Sequence, residues 1–211
     1  MNKTLAIIGS GDLGQLIAHH AINDNHFEDI VFFDDFKTNS ENMPYGEIIG
    51  KTSDILKAFE GNVFDELIIG IGYKHFDARQ NFFELYNSKI PFATIIHTSC
   101  YLDSTVKIGK GSFILPGCVF DKDVVIGNNI VCNISVSLSH DSEIQNHSFL
   151  GPNVSIAGFV TVKSRCMIGI NSTIIDNITI ADDIVIGGGA VVTKNLIQKG
   201  LYVGVPANIV I

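Results

Sequence analysis

From Ile96 to Val192 an inward-type residue recurs at every sixth position without a break. The seventeen positions 96, 102, 108 and so on to 192 hold Ile, Leu or Val in fifteen cases, Phe120 and Cys132 being the exceptions. Two residues before each of them, from 94 to 190, every residue is Thr, Cys, Val, Ser, Ile or Ala. A helix of period 3.6 or a meander of period 2 could not hold this register over almost a hundred residues, whereas a parallel β-helix of hexapeptide repeats requires it. Three hexads make one triangular coil, so the run predicts between five and six coils of an all-β, left-handed parallel β-helix with no inserted loop. Gly109, Gly127, Gly151, Gly169 and Gly187 directly follow inward residues, where a corner is expected to favour glycine.

Ahead of this run the period is different. Leu5–Ile8, Ile30–Phe33, Leu67–Ile71 and Phe92–Ile96 read as strands, and Leu13–Asn23, Ser53–Phe59 and Phe76–Asn87 read as helices. Such alternation predicts a small Rossmann-like α/β unit with a parallel sheet, and hence two domains, 1–92 and 93–211. Gly9-Ser10-Gly11-Asp12-Leu13-Gly14 fits G-x-G-x-x-G between the first strand and first helix, with Asp34 twenty residues beyond Gly14. The glycines would let a diphosphate approach the helix N-terminus, and the acid would accept hydrogen bonds from a ribose. About ninety residues supply one mononucleotide-binding half, which favours a nucleoside diphosphate sugar over NAD. A turn serving only strand–helix packing is the competing reading.

A formal net charge of -8 with only 14 Lys and Arg disfavours nucleic acid as a partner. No apolar run is long enough to span a bilayer, and Met1-Asn2-Lys3 leads into an ordinary strand rather than a signal peptide, so a cytoplasmic protein without membrane attachment is expected. Cys100, Cys118, Cys132 and Cys166 lack the paired spacing of a zinc site and all fall on the two inward classes. They read as core hydrophobes, and no metal is expected.

The G-S-G-D-L-G loop and Phe32-Phe33-Asp34-Asp35-Phe36, joined to this hexapeptide helix, resemble the nucleotide-sugar acetyltransferases. The likeness is to the bacillosamine-pathway type that N-acetylates nucleotide-linked 4-amino-4,6-dideoxy sugars for surface glycans; sialic acid O-acetyltransferases share the architecture, so O-acetylation of a sugar or sialic acid is the rival reaction within the enzyme class. It extends over essentially the whole chain, most specifically at Ser139–Ile144, Ile178–Ala190 and Lys199–Ala207. The resemblance implies acetyl-CoA as donor, a homotrimer, His140 as general base and Asp141 as its supporting acid. The base suits the chemistry, because the attacking amine must lose a proton and imidazole titrates near working pH. It further implies acetyl-CoA contacts at Phe149, Gly158, Ile170 and Gly188. Nucleotide-sugar contacts are implied at Gly11, Asp12, Leu13, Asp34, Asp35, Ile71 and Lys74.

The sequence departs from the family at Phe149, where a second histidine is usual, and His147 lies two positions earlier. Asp12-Leu13 replaces Gly-His, Lys74 replaces Asn, and Asn208 replaces the usual Lys after G-V-P-A, which leaves the nucleotide base and sugar configuration open. His140 alone could be a solvated corner residue; the adjacent acid and flanking motifs favour catalysis. Three other readings compete. A zinc carbonic anhydrase would need His97, His140 and His147 in a closer spacing; an NAD oxidoreductase leaves the repeat unexplained; a trimeric scaffold that binds a nucleotide sugar without catalysis explains both halves.

Overall fold

A computed structural model describes residues 3–37 and 44–210. Contacts divide the chain into two compact units, residues 1–95 and 96–211.

The first unit contains a four-stranded sheet of β1 (Thr4–Ile8), β2 (Asp29–Phe33), β3 (Glu47–Gly50) and β4 (Glu66–Ile69), in the order β3-β2-β1-β4 with every pairing parallel. β1 is a continuous apolar run because a central parallel strand is covered on both faces, and Leu5 to Ile8 are all at most 1% exposed. The helices are α1 (Asp12–Asn23), α2 (Ile55–Glu60), which continues a 3-10 turn at Thr52–Asp54, and α3 (Phe76–Tyr86). α1 buries Gly14, Ile17, Ala18 and Ala21, spaced three and four apart as one helical face requires. β3 is absent from the sequence reading: four residues with Gly at the end carry too little pattern. The strand expected over Phe92–Ile96 is also broken up, into a single bridge between Phe92 and Leu67 and a two-residue strand at Ile95–Ile96.

The second unit is a parallel β-helix. Two-residue strands stack at a separation of 18, as in Val125 with Lys107 and Glu143, and form three parallel-stranded faces. The core is one stack running from Ile114 to Val192, with Leu196, Tyr202 and Ala207 closing its far end. There Gly200–Val203 pairs parallel with Ile184–Ile186 and antiparallel with Asn208–Val210. Among the described residues no helix is long and apolar enough to cross a membrane.

The small inward class does more than fill space. Ser112, Ser142, Ser148 and Ser172 each donate a hydroxyl hydrogen bond to the carbonyl fifteen residues ahead, at 2.9 to 3.2 Å. Cys100, Cys118 and Cys166 do the same with their thiols at 3.1 Å. These donors satisfy corner carbonyls that the strand ladders leave over. Three cysteines therefore carry a polar task beyond the apolar one expected of them. Burial pushes the Cys166 thiol up to about 12, so it stays protonated as a donor.

Left-handed backbone recurs three residues after the inward position. Positive φ occurs at every sixth residue from Gly111 to Gly189, fourteen positions in all, of which ten are Gly, Asn or Asp. Those residue types tolerate a conformation that costs other L-residues roughly 1–2 kcal/mol. The exceptions are Ser135, His147, Phe159 and Arg165. The glycines expected at corners for conformational freedom have a different reason to be there. Built Cβ atoms on Gly109, Gly151 and Gly169 would lie 2.6 to 2.8 Å from atoms of the next coil. Inter-coil clearance selects them.

Gly169→Ala would place its methyl 2.6 Å from Gly188 N. It is expected to cost about 1–3 kcal/mol in chemical denaturation, whereas Asn171→Gly, at φ 57, is expected to stay close to neutral.

Candidate functional site

In the first unit the parallel strands put all their carboxyl ends on one edge. β1 has β2 on one side and β4 on the other, so a crevice opens where the strand order reverses. Gly9, at φ 91, turns the chain out of β1 and donates its N–H to Phe33 O at 2.9 Å. Gly14 packs the helix onto this loop, since a Cβ there would lie 2.1 Å from Gly9 O. Gly70 closes the contact from β4, with a built Cβ 2.7 Å from Gly14 Cα. Gly11 and Gly72 by contrast have nothing within 4 Å of a built Cβ, so bare backbone flanks the crevice on both sides. Gly11 caps α1 without a side-chain hydrogen bond, so no cap side chain covers the first-turn amides.

Gly11, Asp12, Leu13, Asp34 and Ile71 gather at the carboxyl ends of β1, β2 and β4, and Ile71 Cγ1 lies 3.4 Å from a Cβ built on Gly9. Lys74 sits on the exposed 3-10 turn Tyr73–His75 that leads into α3. Asp34 is already engaged. Its Oδ2 accepts from Ser10 N at 2.8 Å and Ser10 Oγ at 2.7 Å, and its Oδ1 accepts from Phe36 N at 2.9 Å and Lys37 N at 3.1 Å. A carboxylate offers about four lone-pair positions, so the expected ribose contact would have to displace one of these donors. Burial raises this carboxyl, but the Ser10, Phe36 and Lys37 donors outweigh it and hold it below the usual carboxylate range. Asp35 turns the other way and accepts from Thr52 N and Oγ1 at 2.9 and 2.8 Å.

Arg79 was not legible in the sequence as part of this edge. It is 1% exposed and donates from Nη1 to Ile71 O at 2.6 Å, bracing the loop after β4 from behind. Burial lowers it to about 10, so it remains charged at neutral pH. The available signal was Gly70-Ile71-Gly72 directly after a strand.

In the second unit His140 precedes a corner. Asp141 adopts φ 57, and its Oδ2 lies 3.0 Å from His140 Nδ1, with both side chains partly exposed. Ser142 Oγ lies 2.7 Å from Ser139 O and 2.9 Å from Ala157 O, so its one proton is shared between the carbonyl of this turn and that of the next coil. With a proton on Nδ1 facing the carboxylate, Nε2 carries the lone pair, the tautomer a base needs. Gly158, one coil on, lies against the ring: a Cβ there would come within 2.7 Å of Cε1 and 2.9 Å of Nε2. Phe159 sets its ring edge-on to the imidazole, with centroids 5.2 Å apart and planes at 82°.

The other residues expected to hold acetyl-CoA lie elsewhere on the prism. Ile170 and Gly188 are adjacent across one coil step, a Cβ on Gly188 meeting Ile170 Cγ2 at 3.0 Å, at the corner that follows a different face from His140's. Phe149, 8% exposed, pairs with Val131 and Met167 on the face leading to that corner. His147 occupies the third corner type, buried, with Nδ1 3.0 Å from Asn129 Nδ2. Within one chain, neither Phe149 nor His147 shares His140's corner. Among the described residues no His, Cys, Asp or Glu group could hold a metal ion.

Residues 4–85 match the PglD N-terminal domain family. No curated protein sequence matches the chain. Among solved structures it is similar to the acetyltransferase domain of PglB from Neisseria gonorrhoeae in complex with acetyl coenzyme A, at TM-score 0.91, 22% identity and 100% of each chain. It is likewise similar to PerB from Caulobacter crescentus in complex with CoA and GDP-perosamine, at TM-score 0.87, 23% identity and 98% and 96% of the two chains. WeeI from Acinetobacter baumannii gives TM-score 0.85 at 21% identity, over 99% and 100%. These likenesses establish that the fold is shared along the full length.

The Asp34 clamp has a pH signature. Because its native pKa is lowered, its contribution is complete above the unfolded value of about 3.9 and is lost as pH falls through the native value. Asp34→Asn is therefore expected to be less stable than the parent at pH 7, by about 1–2 kcal/mol, with the gap closing in urea titrations repeated toward pH 3.

Proposed function

We propose that the chain transfers the acetyl group of acetyl-CoA to the C4 amine of a nucleotide-linked 4-amino-4,6-dideoxy sugar, with His140 as general base. One observation carries this reading: an imidazole on an exposed corner, held at Nδ1 by Asp141 at 3.0 Å and lying against a glycine. The PglB and PerB structures were solved with acetyl coenzyme A, and with CoA and GDP-perosamine, which supports the same class of donor and acceptor here. The open crevice between β1 and β4, with bare Gly11 and Gly72 at its sides, suits the diphosphate of such an acceptor.

His140 Nε2 takes the proton that the acceptor amine loses as its nitrogen bonds to the thioester carbonyl carbon. Asp141 stabilises the imidazolium so formed. When the carbon–sulfur bond breaks, the same imidazolium returns the proton to the departing thiolate, so the base is regenerated and no other proton carrier is needed. Ile170 and Gly188 would hold the donor from a different corner than His140's, so a single prism separates base from donor. A homotrimer, in which the corner of one prism meets that of its neighbour, completes three such sites.

Thiol release from acetyl-CoA, measured against UDP-, dTDP- and GDP-linked 4-amino-4,6-dideoxy sugars, tests the reading. His140→Ala is expected to lower kcat by about 10²–10⁴-fold while calorimetry still shows CoA binding; acetylation at the parent rate would overturn the base assignment, and a parent protein that releases no thiol with any of these acceptors would leave the non-catalytic scaffold. Sedimentation at assay concentration is expected to show a trimer, and an active monomer would contradict the shared site.

A further inference from the structure

Phe159 stands in a conformation that its side chain disfavours. Its φ is 57, at a corner position where ten of fourteen residues are Gly, Asn or Asp. Core packing does not account for it, since Phe159 is 55% exposed. What its ring touches is the His140 imidazole, edge-on at 5.2 Å. Its backbone N–H also donates to His140 O at 3.2 Å, which ties the two coils together at this point. Gly158 supplies the floor of the same seat, because any Cβ there would come within 2.7 Å of the imidazole.

We propose that Phe159 is a positioning residue for the base. Asp141 holds Nδ1, Gly158 lies against Cε1 and Nε2, and Phe159 stands perpendicular to the ring, so the imidazole plane is fixed and Nε2 keeps one direction toward the acceptor amine. The proposal rests on the reading of His140 as base. An aromatic wall suits the task, since edge-on ring pairs have a preferred geometry that an aliphatic side chain cannot impose. The charged groups of this corner are Asp141 itself, Lys122 one coil earlier paired with Asp123, and Asp176 two coils later in the same column as His140. Phe159 bears no charge, so its loss disturbs orientation and leaves that set intact.

The test compares Phe159→Leu, Phe159→Asn and Phe159→Tyr in the full-length protein. Leu and Asn are expected to lower kcat about tenfold, with KM for acetyl-CoA within about twofold, and Tyr to retain most of the parent rate. Asn suits the left-handed corner, so Phe159→Asn is expected to match or exceed the parent Tm, by up to about 4 °C. Activity falling while Tm holds separates positioning from a general loss of fold. Independently, proton resonances of the His140 ring, assigned by their loss in His140→Ala, are expected to move in Phe159→Leu because the ring current is gone. Unmoved resonances and an unchanged kcat in both Phe159→Leu and Phe159→Asn, beside an inactive His140→Ala, would overturn the seat and leave the base. A fully active His140→Ala with moved resonances would overturn the base and leave the ring contact standing.

Discussion

The second unit depends on one constraint: each coil must return to the same place after eighteen residues, so that every strand pairs in register with the coils before and after it. A two-residue strand supplies few hydrogen bonds, and a single coil has no core of its own. Stability therefore comes from neighbours, as in other repeat architectures. The return is possible because each corner from Gly111 to Gly189 spends one residue in left-handed backbone, and because side-chain donors from Ser and Cys satisfy carbonyls that turning exposes. Corner, strand and core are a single requirement written three times per coil.

The part of the fold that repeats was legible in the sequence, because an error at one hexad is corrected by the agreement of the other sixteen. Reasons were less legible than positions. The glycines after the inward residues were visible, but their role could not be separated from conformational freedom until the distance to the next coil was known; Gly169 is there for Gly188, not for φ. The residues that do adopt positive φ are two places beyond those glycines and include His147 and Phe159, which no propensity rule would select. In the first unit β3 has no repetition to support it and was missed.

The candidate sites divide in the same way. His140 and Asp141 are adjacent in sequence, and the turn between them needs only local geometry, so their pairing could be read directly. Gly158 and Phe159 reach His140 only through the eighteen-residue step, a separation at which residue types alone say nothing about contact. Asp34 shows the opposite difficulty. The motif places it correctly at the end of β2, yet its lone pairs serve Ser10 and its own turn, a use that spacing cannot distinguish from ligand binding.

The stacked register also sets how such a chain can change length. Removing eighteen residues deletes one storey and leaves every later side chain on its original face. Removing six shifts the remaining chain by a third of a turn, so that the residues now above His140 would pass to a different corner although each inward position stayed apolar. The core tolerates length changes in sixes, while the seat of the imidazole tolerates them only in eighteens. Insertions and deletions are thus filtered by chemistry more strictly than by folding.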